Sequence, residues 1–354
     1  MVSQFSPGFR FNNPLTAVWR DALASARTMT SVTVTAPARL HLGFLDLNGG
    51  LGRRFGSLGL SVDGLRTRVN ARAADHMQVN GPDSERVRRY ADAMRTALDL
   101  RAEYDIAVED VVPPHAGLGS GTQLALALAA AVRRLHGLPL DVEGDAVRLG
   151  RGTRSGAGIA LFERGGLVVD GGSRATPRAP PMISRLQFPE RWRVLVVLDP
   201  HRQGAHGAGE ANAFARLPPA SDTEAAHLCR VLVMKILPAV VEADLPTFGA
   251  GIRELQARVG DHFAPAQGGH RFASSTVAAT LALLENEGAV GIGQSSWGPT
   301  GYAFVPSLDA AERILASVHG RPECKGVDIR ICRALNSGAE ITANVNADAP
   351  ELRQ

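Results

Sequence analysis

The stretch of this chain best suited to chemistry is Pro113-Pro114-His115-Ala116-Gly117-Leu118-Gly119-Ser120-Gly121-Thr122-Gln123. It lies between a strand-like run, Tyr104 to Val112, and an alanine- and leucine-rich helical run, Gln123 to Leu135. Glycines let a backbone curl close to a ligand, and a helix start leaves several N–H groups without intrahelical partners. Those donors, with the positive end of the helix dipole, form an anion site. Gly117, Leu118, Gly119, Ser120, Gly121 and Thr122 are therefore assigned to a phosphate, with the Ser120 and Thr122 hydroxyls beside it.

Other polar groups flank that loop in sequence. In Ala36 to Asp46, Arg39 and His41 share one face of a short strand while Leu40, Leu42 and Phe44 fill the other. His41 alone reads equally well as a satisfied, half-buried histidine; Arg39 on the same face favours a site. Arg154 and Ser155 lie in the glycine-rich segment Gly150 to Phe162, which reads as a second phosphate-facing wall. Asp46 and Asp170 each precede a glycine turn, so a ligand-binding role and simple turn capping both stay open. Ser295, Ser296 and Trp297 read as a wall that hydrogen-bonds and stacks on a ring. A core tryptophan after a tight turn is the competing reading. His201, Arg202 and His206 form a weaker polar cluster, read as a mobile loop.

The elements that must position these residues follow from periodicity. Val32, Val34 and Ala36 alternate with threonines, and Leu58 to Leu60 and Arg66 to Ala71 read as further strands. Arg86 to Leu100 and Asp141 to Leu149 read as helices, and Gly166 to Asp170 as a strand. Ser173 to Pro181 is proline-rich and aperiodic, a connection between domains. Beyond it, a buried strand Arg193 to Leu198 precedes a helical region, Glu224 to Arg258, broken at Pro246 and Gly260. Helices at 273–287 and 308–318 alternate with strands at 302–305, 327–332 and 340–345, an α+β arrangement. The predicted organisation is a flexible tail over 1–30, a phosphate-binding domain over 31–185 and a second domain over 186–354. The tail also reads as an extension upstream of a start at Met29, and it has no apolar run of the secretory kind.

Composition narrows the function classes. At 354 residues, 45% of them apolar, the chain is long enough for two cores. The formal charge is only +3, and the basic residues are almost all scattered arginines, with lysine at Lys235 and Lys325 alone. That pattern lacks the basic stripe of a nucleic-acid binder but suits bidentate recognition of phosphate and carboxylate. No apolar run approaches the roughly 20 residues that span a bilayer. Cys229, Cys324 and Cys332 lack metal-ligand or redox spacing, as in a reduced, cytoplasmic protein.

Taken together, the glycine-rich segments resemble the GHMP superfamily of galactokinase, homoserine kinase and mevalonate kinase. Ala36 to Asp46 resembles its N-terminal segment, Pro113 to Gly121 its phosphate loop, and Gly291 to Gly301 its C-terminal segment. The resemblance implies a two-domain GHMP-kinase-like α+β fold. Its N-terminal domain would be like the second domain of ribosomal protein S5, and its C-terminal domain a ferredoxin-like α/β sandwich. Within the superfamily, several runs are similar to β-ribofuranosylaminobenzene 5′-phosphate synthase. These are Ala36 to Asp46, Gly117 to Gln123, Arg154 to Gly156, Val169 to Gly172, Gln267 to Gly269 and, most specifically, Gln294 to Thr300.

That resemblance implies a Mg²⁺-dependent enzyme of one-carbon cofactor biosynthesis, with a homodimer as the expected assembly. It condenses phosphoribosyl pyrophosphate with 4-aminobenzoate or 4-hydroxybenzoate. The ring carbon bearing the carboxylate attacks the anomeric carbon, pyrophosphate leaves, and loss of carbon dioxide restores aromaticity. Arg39, His41, Arg154 and Asp170 are then the expected catalytic residues. Gly117 to Thr122 and Ser155 would hold the donor, Ser295, Ser296 and Trp297 the acceptor, and Ser120 and Asp46 the metal. An ATP-dependent small-molecule kinase is the alternative. It is weakened because Ser155-Gly156 is followed by Ala157, Gly158 and Ile159, with no carboxylate to take a hydroxyl proton.

Overall fold

The structure is a computed structural model that describes residues 29–174, 178–204 and 217–345. Its first sheet is built on one long antiparallel hairpin, β1 (Met29–Asp46) and β2 (Phe55–Ala74), where shorter strands were expected. One face of the hairpin is fully buried through Val32, Val34, Leu40, Leu42, Leu58 and Leu60, and in its middle His41, Ser57 and Ser61 are buried on the other face as well, whereas Arg66 and Arg72 of β2 stay exposed. Breaks in register after Pro37 and His41 absorb the irregularities.

The two halves of β2 pair with different strands. Its C-terminal half joins β4 (Glu103–Asp110), which carries β3 (Gln78–Asn80) in parallel. Its N-terminal half joins β5 (Leu167–Asp170), which pairs β6 (Met182–Leu186). The last strand, β11 (Glu340–Val345), returns from the far end of the chain to pair β1 at Met29 to Thr35. Segment 186–354 therefore contributes to both sheets, and Met29 and Thr30 are strand residues rather than tail. Residues 1–28 and His206 lie outside the described residues.

Helix α1 (Ser84–Ala97) and helix α2 (Ser120–Leu135) cover the first sheet. Helix α2 is rich in alanine and leucine, strong helix formers, and is buried along almost its whole length. Its one deeply buried charge, Arg133, is held by Asp145 of α3 (Val142–Arg148). Helix α4 (Ala157–Arg164) leads into β5.

The second sheet is antiparallel, with β10 (Asp328–Cys332), β7 (Arg193–Leu198), β9 (Gly301–Val305) and β8 (Val290–Gln294) in that order. Alternation decides what each face meets. Leu195, Val197, Ala303 and Val305 pack against α8 (Ser275–Asn286) and α9 (Leu308–Val318). Val194, Val196, Tyr302 and Phe304 face the other way, into a core shared with Leu40, Leu42, Leu58 and Leu60 of the first sheet. The two sheets thus meet across common apolar packing, and the expected site residues lie along that seam.

The helical region differs from its reading in sequence. Helix α5 (Asp222–Val231) passes through a π-helical turn, Leu232–Ile236, into α6 (Leu237–Val241). Helix α7 (Leu245–Phe263) then starts at Pro246 rather than ending there, because a first-turn proline lacks only an N–H that has no partner anyway. Gly260 stays helical, and the stem of Arg271 occupies the space beside it. Among the described residues no helix is long and apolar enough to cross a membrane.

Candidate active site

The glycine loop enters α2 through left-handed residues, His115 at φ 57°, Gly117 at 83° and Gly119 at 77°. Gly119 is the N-cap and no side chain caps the helix; the Thr122 and Gln123 N–H groups donate to the Gly119 carbonyl at 3.0 and 3.1 Å, which leaves Ser120 and Gly121 to present the first uncapped N–H groups. Leu118 turns its buried side chain inward and accepts the Arg39 N–H through its carbonyl at 3.0 Å. A Cβ on Gly119 would lie 3.1 Å from Arg39 Nε, so the Arg39 guanidinium runs directly beside the helix start. Arg151 lies against Gly121 and stacks over the Tyr90 ring at 5.5 Å. The Thr122 methyl packs on Gly158 of α4, whose carbonyl accepts from Gln123 at 2.9 Å. Two helix N-termini, those of α2 and α4, therefore converge, with half-buried Arg154 in the turn that enters α4.

Ser295 joins the sheets at this point. Its hydroxyl donates to the Gly117 carbonyl at 2.7 Å and accepts the His41 N–H at 2.9 Å. The residue is fully buried and its donor is spent on backbone, so it clamps the loop instead of facing an acceptor. Close approach at this clamp demands glycine. A Cβ on Gly117 would lie 2.0 Å from the Ser295 carbonyl, and one on Gly298 2.0 Å from that of Ala116.

On the far side of the clamp is a closed slot of about 20 Å³ lined by His41, Phe44, Phe263, Gln294, Ser296 and Trp297 among others. Its walls are aromatic: Phe263 meets Trp297 at 4.7 Å and His41 meets Phe44 at 4.4 Å between ring centres. The glutamines of the slot bond to one another and to backbone. Gln294 Nε2 donates to Gln267 Oε1 and to the Ser296 carbonyl, and Gln294 Oε1 accepts from Ala273 N. Gln256 accepts from Gln294 N and donates to the Leu42 carbonyl. Trp297 is both a buried residue and a slot wall, so its competing readings merge. A 20 Å³ cavity holds about one water, so an arene enters only as Phe263 or Trp297 gives way.

Burial, and then the Arg39 guanidinium, hold the His41 imidazole well below its ordinary pKa, so the ring is neutral at physiological pH. Asp170 is pushed the other way, upward, by burial. Its carboxylate accepts from Ser57 and Ser155 hydroxyls and from the Gly156 and Ala157 N–H groups through Oδ2, and from Gly172 N through Oδ1. Asp170 and Ser155 therefore cap α4 and the following turn, with four of the carboxylate's five hydrogen bonds on Oδ2. Asp46 takes the turn-capping role as well, accepting from Asn48 N and Gly49 N at 2.8 Å. It ends β1, roughly 20 Å of extended strand beyond Arg39, so Asp46 and Ser120 are not brought to one metal. Asp145, the other buried carboxylate among the described residues, is held by Arg133 and Arg148.

Reading in sequence missed a cleft of about 830 Å³ beside the Asp170 turn, lined by Arg53, Arg148, Arg174 and Arg178 against the single acid Glu143. Arg53 is fixed at its rim by a bond to the Gly172 carbonyl at 3.0 Å. These arginines come from segments remote in sequence, and no local pattern marks them. Arg202 and His201 lie near α8, where Arg202 donates to the Ala273 carbonyl.

This fold and its loop define the class. Residues 85–166 match the GHMP kinases N terminal domain and residues 236–322 the GHMP kinases C terminal domain. Mevalonate diphosphate decarboxylase from Enterococcus faecalis is similar in fold at TM-score 0.62 and 17% identity, over 89% of this chain and all of that one. Homoserine kinase from Cytophaga hutchinsonii gives 0.58 and 18%, over 88% and 98%. Comparison along the whole sequence is narrower. The β-ribofuranosylphenol 5′-phosphate synthase of Archaeoglobus fulgidus is 35% identical over 324 residues, 86% of this chain and 97% of its own length. That of Methanothermobacter thermautotrophicus is 31% identical over 292 residues, 76% and 87%. The chain belongs to the β-ribofuranosylphenol 5′-phosphate synthase family.

Proposed function

We propose that this protein transfers the phosphoribosyl group of phosphoribosyl pyrophosphate to a para-substituted benzoate. The products are a carbon-linked riboside 5′-phosphate, carbon dioxide and pyrophosphate, in the biosynthesis of a tetrahydromethanopterin-type cofactor. The observation that carries the reading is the Ser295 clamp, which fastens an anion-binding loop directly to an aromatic slot. A donor with phosphates at both ends needs two anion grips, and the loop and the arginine cleft supply them. The relatives share a name that specifies a phenol, which makes 4-hydroxybenzoate the first acceptor to test and 4-aminobenzoate the second.

In this reading the α2 N–H groups, Ser120, Thr122, Arg39 and Arg154 neutralise the charge that grows as pyrophosphate departs. Both buried carboxylates are already engaged. The hydroxyl-rich loop therefore fits a Mg²⁺ ion, which the Ser120 hydroxyl would help to hold. Bound there, Mg²⁺ supplies charge shielding to the leaving group. The slot orients the ring, and its aromatic walls keep water from the cation-like sugar carbon. The kinase alternative is disfavoured because Ala157 stands where an acid would serve and the Asp170 carboxylate is buried and engaged in capping α4.

The test is incubation with Mg²⁺, phosphoribosyl pyrophosphate and each carboxyl-labelled benzoate. Labelled carbon dioxide should appear in step with pyrophosphate. No release with either acceptor, together with ATP consumption on an alcohol, overturns the reading. Arg174→Gln with Arg178→Gln should raise the donor KM about tenfold, the size of one lost charge-assisted hydrogen bond. An unchanged KM removes the cleft from the donor site.

A further inference from the structure

We infer that His41 is the hydrogen-bond acceptor for the para substituent of the arene, so that the slot selects rings carrying an O–H or N–H there. The inference rests on the synthase reading and names what that reading leaves open: which chemical feature of the acceptor the protein recognises. His41 lines the slot and is 2% exposed, yet its Nε2 has no hydrogen-bond partner. A buried polar atom without a partner is costly unless a ligand completes it. The glutamines and the arginine around it are otherwise engaged. Gln256, Gln267 and Gln294 bond to one another and to backbone, and Arg271 pairs with Asp261.

The ring's protonation fixes which partner Nε2 wants. A neutral imidazole carries one ring hydrogen, and we place it on Nδ1. Nε2 is then a lone pair in a neutral ring, able to accept and unable to donate. It repels a carboxylate and attracts a hydroxyl or amine hydrogen. The substituent end of the benzoate is therefore the end that goes to His41, and the carboxylate end is turned away from it.

This contact also bears on rate. When the carboxylate-bearing carbon attacks the sugar, electron density flows to it from the para oxygen or nitrogen. The hydrogen on that atom becomes more acidic, and its bond to Nε2 tightens as the transition state forms. No proton needs to cross. The hydrogen returns to its ordinary strength when carbon dioxide leaves and the ring regains aromaticity.

The acceptors 4-(methylamino)benzoate and 4-(dimethylamino)benzoate test this directly. Both are electron-rich and similar in bulk, but only the first keeps an N–H. The wild-type enzyme should prefer the first by roughly a hundredfold or more in kcat/KM. In His41→Phe that ratio should fall below about tenfold, with the loss concentrated on the N–H-bearing substrate. Equal turnover of the two by the wild-type protein overturns the inference, whether or not the variant folds. Retention of the full ratio in a folded His41→Phe overturns it too. Turnover of no para-substituted benzoate at all overturns the synthase reading instead, and this one with it.

Discussion

Replacing Ser295 by alanine removes a side chain that ties the phosphate loop to β1. The hydroxyl satisfies the His41 N–H at 2.9 Å and the Gly117 carbonyl at 2.7 Å. Alanine leaves the N–H buried with nothing to accept it, and the carbonyl only partly reachable by water. At about 1–3 kcal/mol for a stranded buried group, and less for the carbonyl, the loss should be about 2–4 kcal/mol. That is a large fraction of a typical total of about 5–15 kcal/mol, yet it leaves the protein folded. The local consequence is larger than the global one. Gly117 sits against the Ser295 carbonyl, and a loop freed to drift by about 1 Å costs on the order of a hundredfold in rate. Urea unfolding and steady-state kinetics on Ser295→Ala measure both. A midpoint within about 0.5 kcal/mol of wild type, with donor KM and kcat unchanged, would refute the clamp.

Two further outcomes follow from the same geometry and from burial. Gly117→Ala meets the Ser295 carbonyl at 2.0 Å and should abolish activity, whereas Gly137→Ala, also at positive φ but with open space around it, should cost only about 1–2 kcal/mol and leave kcat unchanged; the reverse order in kinetic and thermal-melt measurements would sink the loop assignment. Burial holds His41, His136 and His262 below the ordinary 6.5, so the unfolded chain takes up protons below that pH that the folded chain refuses. Stability should therefore fall as pH drops from about 7.5 to about 5.5, and less steeply in His136→Phe. A urea midpoint that is flat across this window would contradict the burial of these rings.

The loop, the fold class and the family were legible in the sequence for a physical reason: they rest on local rules. The left-handed glycines expected before an uncapped, alanine-rich helix are present at Gly117 and Gly119. Gln294 to Thr300 stood out by its resemblance to a family motif, and its contact with this loop came from the tertiary structure. What the sequence could not decide is which polar side chains are already spent. Asp170 and Asp46 looked like ligands and are held by backbone and serine donors. Ser295 looked like a substrate contact and is a clamp between β1 and the loop.

Partners of this kind come from remote segments, and only packing brings them within hydrogen-bond reach. The same holds for the arginine cleft, whose charges are scattered from Arg53 to Arg178, and for the long hairpin, whose middle is covered on both faces by remote segments. His41 shows the division most clearly. Its alternation with Arg39 placed it on a polar face, but tertiary structure alone buried it among Phe44, Phe263 and Trp297 and left Nε2 without a partner.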